Sequence, residues 1–476
     1  MDLRTHGWHI ALCAVLLLAC VLMAVAVVPH QLPFSWDVWY HIRLGEAFKD
    51  GLVWWDWGSF GPQGRPHLYP PGFHVLLAAL SIVGRVSVQT IARYMPLVVF
   101  PATIGLFYLL MRQWFERDVS LLAAALAVTI PVSYDRGIIS SPQAIGTLFM
   151  LASFIFCVRM RRRLAYAALA GACLAVVILT HGLTLIVTVT MLCLYIALIA
   201  FMARGDREGL RRYGIAVLVL SAVAVIIPSY WLYYLFDHGV YSTIPESDSL
   251  PLKMIPSKLG ALHLGLAFLG IGSVLTRRDE GGTFLVMWLV ATFLFSSALF
   301  WVLPSRFIEF MALPVAGLAA VGIREVVRSR RIVTAVGVGG IVLVSLAAPY
   351  IYMHAISPVI YPDEDAAFEW LSEGSAEGGQ VMTGWFFAPV GAALSPEVPI
   401  KGAYYSGSYN YMERTNDTDD FYNGKLSVLY KYGVDHVFVG RKERFDYPSH
   451  VLLDRSDLLN KTYDGMRSSL YAVWED

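Results

Sequence analysis

Charge is what this chain has least of. Only 15% of its 476 residues are charged, against about a quarter in an ordinary soluble domain. The 36 basic residues balance the 36 acidic ones, so the chain lacks the basic excess that marks a nucleic-acid partner. Cysteine is scarce too. All five, Cys13, Cys20, Cys157, Cys173 and Cys193, lie inside apolar runs. Such cysteines behave as small buried hydrophobes, which argues against a disulfide framework and against zinc. There is no internal repeat and no low-complexity stretch, which removes solenoids and linker arrays from consideration.

Hydrophobic residues make up 57% of the chain, with a mean hydropathy of +0.57. Apolar runs of about 20 residues, long enough to cross a bilayer, recur as far as about position 353. They predict about eleven transmembrane helices, near 8–29, 88–113, 117–132, 140–159, 164–180, 183–203, 212–236, 258–275, 283–302, 307–323 and 332–353. The first run carries an Ala24-Val25-Ala26 sequence like a cleavage site, but it is longer than a signal-peptide core and reads as a retained helix. The run after Gly72 is too short to span and reads as an interfacial or re-entrant helix.

Arginine sets the expected orientation. Clusters at Arg159, Arg161, Arg162 and Arg163, at Arg204, Arg207, Arg211 and Arg212, at Arg277 and Arg278, and at Arg324, Arg328, Arg330 and Arg331 all fall on one side of these helices. The positive-inside rule makes that side cytoplasmic. The N-terminus is then cytoplasmic, and the loop at 30–87 and the tail are extracytoplasmic. The expected organisation is a membrane region at 1–354 and a soluble α/β domain at 355–476. In that tail Asp363 is a candidate cap for a helix through Phe368 and Leu371. Val381-Met382, Val434–Val439 and Leu470–Trp474 read as strands.

The most distinctive segment follows the first helix: Trp36-Asp37-Val38-Trp39-Tyr40-His41-Ile42-Arg43, then Trp54-Trp55-Asp56-Trp57, then His67-Leu68-Tyr69-Pro70. The tryptophans suit an interfacial belt. Asp37 is either a solvated loop carboxylate or helix cap, or a base or cation ligand at the membrane face. This segment resembles the first external loop of the catalytic subunit of oligosaccharyltransferase and its archaeal relatives, which belong to the GT-C membrane glycosyltransferases. The resemblance rests on Asp37, Tyr40, His41, Arg43 and Tyr69-Pro70. It implies that Asp37 holds a catalytic metal or contacts the acceptor, with Tyr40, His41 and Tyr69 in support. Thr243-Ile244-Pro245-Glu246 resembles the family's Thr-Ile-x-Glu loop, which gives Glu246 a metal or acceptor role and Thr243 a supporting one. Ser305-Arg306-Phe307 stands where the relatives bind the donor phosphate. Arg306 is therefore a phosphate ligand or an arginine paired with Glu309. His181, in a short turn, either contacts phosphate or caps a helix. Arg136 is a further candidate phosphate ligand.

Two departures limit the resemblance. After Tyr134-Asp135-Arg136, the family's acidic pair is replaced by Gln143 and Ile145, and an amide is a poor ligand for a hard cation. Asp135 is the remaining candidate carboxylate there. The family's Trp-Trp-Asp-Tyr-Gly, which reads the acceptor sequon, is replaced by Gly384-Trp385-Phe386-Phe387-Ala388.

The expectation is therefore a GT-C-like polytopic α-helical protein of the plasma membrane with a small extracytoplasmic α/β domain. It would move a sugar from a polyprenyl- or dolichyl-phosphate-linked donor to a glycan, lipid or protein acceptor. Asp37 and Glu246 are the catalytic candidates. Mg2+ or Mn2+ on Asp37, Glu246 and Asp135 is one option, and a metal-independent mechanism with Asp37 as base is the other. The alternatives are oligosaccharyltransferase-type protein glycosylation and a catalytically silent scaffold. A transporter fits less well, because the candidate charges cluster at one membrane face rather than at the midplane.

Overall fold

The structure is a computed structural model that describes residues 3–61, 63–238, 252–277, 279–297, 304–329, 347–353, 355–375, 378–402 and 410–474. It divides into two compact units. The first is Met1–Gln31, Tyr94–Tyr233 and Ile244–Ile356; the second is Leu32–Arg93, Tyr234–Thr243 and Ser357–Asp476.

The first unit is helical. Across the described residues five helices are long and apolar enough to cross a membrane: Gly7–Val27, Pro142–Arg159, Gly182–Met202, Arg207–Ile226 and Ser305–Val327. The number rises to seven if each of two bent pairs counts as one span. Capping side chains fix where several of these helices begin. Ser141 accepts from the Ala144 amide at 3.2 Å, with Pro142 at the first helical position. Asp206 accepts from Gly209 at 2.9 Å, and Asp279 accepts from Gly282 at 2.6 Å.

Prolines divide what the hydropathy reads as single spans. The run expected at 117–132 is a helix Arg117–Thr129 and a second helix Pro131–Gly137, bent by 69°. The residue before a proline is pushed out of the helical region, and Ile130 is extended with ψ 126°. The run expected at 88–113 is likewise Val88–Tyr94 followed by Pro96–Met111. Most of the run expected at 332–353 lies outside the described residues. Elsewhere close helix packing depends on glycine. A Cβ on Gly270 would lie 1.9 Å from the Leu318 carbonyl oxygen, and one on Gly322 would lie 2.2 Å from that of Leu266. These two glycines let Ala261–Arg277 and Ile308–Ser329 approach backbone to backbone.

The second unit is built on a mixed five-stranded sheet. Its strands follow a small antiparallel pair in the first loop, β1 (Trp55–Asp56) and β2 (Arg65–Pro66). They are β3 (Gln380–Met382), β4 (Val398–Pro399), β5 (His436–Val439), β6 (Leu459–Asp464) and β7 (Ser469–Val473), in the order β4-β3-β5-β7-β6. β3 runs parallel to both β4 and β5, and β7 is antiparallel to β5 and β6. Three of these strands are those expected from the β-branched and aromatic runs; β4 and β6 are additional. Met382, Val437 and Val439 from the strands pack with Phe421, Tyr422 and Leu429.

The helix Pro362–Gly374 is present, but Asp363 is not its cap. Asp363 sits inside the first turn, where its carboxylate accepts from the Arg467 amide at 2.5 Å. Glu364 reaches back to the Tyr361 amide at 2.9 Å instead.

The first loop belongs to this unit. Its helix Val38–Ala47 packs on the tail helix Ala388–Leu394, and Tyr40, Leu44, Phe48 and Phe60 share one apolar cluster with Ala392. The Gly61 amide donates to the Pro399 carbonyl at 3.4 Å. The Arg414 guanidinium donates to the carbonyls of Gly61 and Ile400, the latter at 2.7 Å. The run after Gly72 forms Gly72–Gly84, bent by 106° from Val88–Tyr94, in keeping with a re-entrant or broken segment.

Candidate functional site

In the first unit, charged side chains gather around Glu309, at the start of the helix Ile308–Ser329. Its side chain is only 7% exposed. Arg136 Nε lies 2.7 Å from Glu309 Oε1, and Arg306 Nη1 lies 3.9 Å from the same oxygen. Gln143 Nε2 donates to Oε2 at 2.5 Å. A buried carboxylate needs such partners, because an unpaired one would be strongly disfavoured. Glu309 is thus a hub that holds two guanidinium groups and an amide. The pairing expected between Arg306 and Glu309 is present, yet Arg136 makes the closer contact. Asp135 accepts from the Tyr352 hydroxyl and lies 3.9 Å from Lys258 Nζ.

Chain breaks place these groups. Arg136 ends the short helix after the Pro131 bend, Gln143 opens the helix capped by Ser141, and Arg306 lies in the 3-10 turn Pro304–Phe307. His181 belongs to the same end of the unit. Gly146, one turn beyond Gln143, packs on Thr184: a Cβ there would lie 3.2 Å from the threonine side chain. His181 Nδ1 accepts from the Thr184 amide at 3.3 Å and contacts its hydroxyl at 2.9 Å. It therefore serves as a helix cap through that nitrogen.

In the second unit Asp37 stands at the N-cap position of Val38–Ala47, half-buried. Its carboxylate does not bond the helix amides and accepts from Ser35 Oγ instead, so the capping role is not taken. Beside it the indoles of Trp36 and Trp385 meet edge to face at 5.4 Å. Trp385 leads the segment that replaces the sequon reader. Phe386 follows it with the Arg441 guanidinium 5.6 Å from its ring, and Lys442 Nζ lies 5.8 Å from Trp385. This corner presents aromatic faces and cations where the family places an acid.

Tyr40, His41 and Tyr69 lie deeper and pack together. His41 stacks on His74, with Nδ1 2.8 Å from His74 Nε2, and lies 4.9 Å from Tyr69 between ring centroids. The Tyr40 hydroxyl accepts from Arg65 Nη2 at 3.1 Å. Burial pushes His41 down to about 4 and His67 down to about 3, so both rings are neutral at pH 7. The sequence reading missed His67, His74 and Arg65 as partners, because they lie 25 or more residues from Tyr40 and His41 with no shared motif. Thr243 and Glu246 lie outside the described residues.

Gln143 spends its amide donor on Glu309 and supplies no carboxylate, and Asp135 is engaged by Tyr352 and Lys258. Across the described residues no three His, Cys, Asp or Glu groups are arranged to hold a metal. The Gln143 amide is a poor ligand for a hard cation, and no step below is routed through a metal.

The chain has the fold of the GT-C membrane glycosyltransferases. No protein-family model matches it. The oligosaccharyltransferase AglB of Archaeoglobus fulgidus, solved with an inhibitory peptide and a dolichol-phosphate, superposes with a TM-score of 0.70 at 16% identity, covering 100% of this chain and 75% of that one. ArnT from Cupriavidus metallidurans, bound to undecaprenyl phosphate, gives 0.66 at 14% identity over 98% of both chains. The mycobacterial arabinofuranosyltransferase AftD gives 0.65 at 14% identity over 100% of this chain and 40% of that one. By sequence, dolichyl-phosphooligosaccharide-protein glycotransferase 3 of Archaeoglobus fulgidus is 22% identical over 284 residues, 52% of this chain and 32% of that protein. The match thus spans about a third of that relative's length.

Proposed function

We propose that this protein is a membrane glycosyltransferase that moves a sugar from a polyprenyl- or dolichyl-phosphate carrier to an acceptor hydroxyl on the extracytoplasmic face. The observation that carries the reading is the pair of arginines, Arg136 and Arg306, held by buried Glu309, which Gln143 in turn hydrogen-bonds. Guanidinium groups fixed at the edge of a membrane helix suit phosphate oxygens. Two structural neighbours were solved with lipid phosphates, dolichol-phosphate and undecaprenyl phosphate.

Within this unit the pair and the Arg159–Arg163 cluster lie at opposite ends of one helix. Gln143 and Arg159 are 16 residues apart, about 24 Å at 1.5 Å per residue. With the arginine cluster cytoplasmic, the phosphate site is extracytoplasmic. This orientation, the total of about eleven helices and the plasma-membrane location are parts of the proposal.

In the reaction, the bond between the sugar's anomeric carbon and the phosphate oxygen breaks, and its electron pair stays on the lipid phosphate. Arg136 and Arg306 stabilise the growing charge there. The sugar passes through an oxocarbenium-like state. The acceptor oxygen bonds to the anomeric carbon and gives its proton to a carboxylate base, the role that the family resemblance suggests for Asp37. A lipid monophosphate donor is favoured, because the arginine pair needs no metal to meet a single phosphate.

Protein N-glycosylation is the second reading, supported by the AglB likeness and the sequence relative. Against it stands the aromatic and cationic Trp385-Phe386 corner in place of an acid that bonds the sequon hydroxyl. The silent-scaffold reading is decided by activity itself. The test is transfer by the purified chain in lipid nanodiscs, supplied with polyprenyl-phosphate sugars and either glycan or sequon-peptide acceptors. Asp37→Asn should abolish transfer while the elution profile stays unchanged. Full activity in that variant refutes the base role. Glycopeptide product would favour the second reading, and no transfer with any donor would favour the scaffold.

A further inference from the structure

The first unit holds a second basic site, at the arginine-rich ends of its helices. A cavity of about 510 Å³ opens where Pro142–Arg159 ends, Leu164–Ile178 begins, Gly182–Met202 ends and Arg207–Ile226 begins. Arg161, Arg162, Arg163 and Arg212 line it, with Asp206 the single acid in the lining. Three of these charges are already committed. Arg161 lies 3.3 Å from Glu280, Arg212 lies 3.0 Å from Glu208, and Asp206 accepts from the Gly209 amide at 2.9 Å. Arg162 and Arg163 make no ion pair with any described residue. Two guanidinium groups thus face one cavity without a counter-ion among the described residues.

Apart from Tyr213, the other side chains of the lining are apolar, among them Ile199, Ile215 and Ala216. Exposed apolar side chains continue from it along the helices: Phe201 is 65% exposed, Met202 57% and Leu218 70%. A free phosphate would use the arginines and leave this surface bare. A phospholipid uses both, with its phosphate on the cations and its chains along the helices. Basic pockets between membrane helices bind anionic head groups in this way.

We infer that the cavity is a binding site for an anionic phospholipid, its head-group phosphate held by Arg162 and Arg163 and its acyl chains lying along Ile215 and Leu218. The site is separate from the proposed donor site and does not depend on that reading.

The test uses the delipidated full chain in neutral detergent, with phosphatidylglycerol, phosphatidylcholine or inorganic phosphate added back and binding read by native mass spectrometry. Phosphatidylglycerol should bind at least tenfold more tightly than phosphatidylcholine. The exposed double variant Arg162→Ala/Arg163→Ala should lose about 30-fold in phosphatidylglycerol affinity, about fivefold per arginine. Arg207→Ala/Arg211→Ala removes the same charge from the same helix end outside the lining and should change little. Equal binding of the two lipids by the unmodified chain overturns the proposal before any variant is made. So does an unchanged affinity in the Arg162/Arg163 variant, or an equal loss in the control. Displacement of the lipid by equimolar inorganic phosphate would show a phosphate site instead, and would overturn the lipid assignment.

Discussion

Replacing Glu309 by Gln should make the phosphate site bind anions more tightly and turn over more slowly. Arg136 Nε and Arg306 Nη1 both address Glu309 Oε1, at 2.7 and 3.9 Å. The two cationic nitrogens are therefore at most about 6.6 Å apart, the sum of those distances. Removing the carboxylate's charge leaves them repelling by about 2.5 kcal/mol at an effective dielectric of 20. Their side chains are 38% and 34% exposed, so solvent screening brings the figure to about 1–2 kcal/mol. An arriving phosphate relieves that repulsion. Glu309→Gln should then bind polyprenyl phosphate about 5- to 30-fold more tightly. Product release should slow in proportion wherever it limits the cycle. The assay is equilibrium competition with polyprenyl phosphate on the purified variant, alongside kcat. Adding Arg136→Gln should return the affinity to near the starting value. Unchanged or weaker phosphate binding in a well-folded Glu309→Gln protein would refute the counter-ion role.

Three further outcomes follow from the same geometry. Gln143→Glu puts a second carboxylate against buried Glu309 and should cut transfer at least tenfold, with no recovery on adding Mg2+ or Mn2+; recovery with metal would restore the metal-carboxylate reading, and loss of wild-type activity in EDTA would do the same. Acid should weaken the first loop: His41 falls from 6.5 in the unfolded chain to about 4 when folded, so its contribution is present above pH 6.5 and is lost as pH drops through 4, about 3 kcal/mol in all; His41→Gln should reduce that slope in tryptophan-fluorescence unfolding between pH 7 and 4, leaving the part due to His67, and an unchanged slope counts against burial as its cause. Gly270→Ala places a methyl 1.9 Å from the Leu318 carbonyl oxygen and should cost several degrees of thermal stability in detergent, whereas Gly272→Ala, with open space around it, should not.

The sequence made the helices legible because hydropathy and capping act locally. Ser141, Asp206 and Asp279 start helices within three residues of themselves. The breaks were less visible. Pro131 was in plain view, but an apolar run does not say whether a proline bends a span or ends it. The candidate site was legible residue by residue and not as an arrangement. Gln143 and Glu309 are 166 residues apart, and no local rule pairs them. The same holds for His41 with His74 and for Arg65 with Tyr40, whose partners are fixed by how the loop folds onto the sheet. Asp363 shows the opposite error. A good capping residue stood two residues past the cap position, and the reciprocal bond came from Glu364.

Gln143 was first read as a loss, an amide where a carboxylate should hold a cation. Its surroundings give the amide a second role. An acid at this position would face the buried carboxylate of Glu309 and could ionise only against strong repulsion. The amide instead donates a hydrogen bond and leaves Glu309 free to hold two arginines. The relatives' resemblance assigns the corresponding position to a metal ligand, whereas here the positive charge comes from guanidinium groups carried by the protein itself. In the proposed reaction both arrangements would put cationic charge near the departing phosphate. In the proposed metal-independent reaction the electrostatic work would fall to Arg136 and Arg306, and an amide at position 143 is compatible with that. The same logic covers the Trp385-Phe386 corner. Under the proposed function, the Trp385-Phe386 corner lacks an acid to bond a sequon hydroxyl and offers an acceptor aromatic faces beside Lys442 and Arg441.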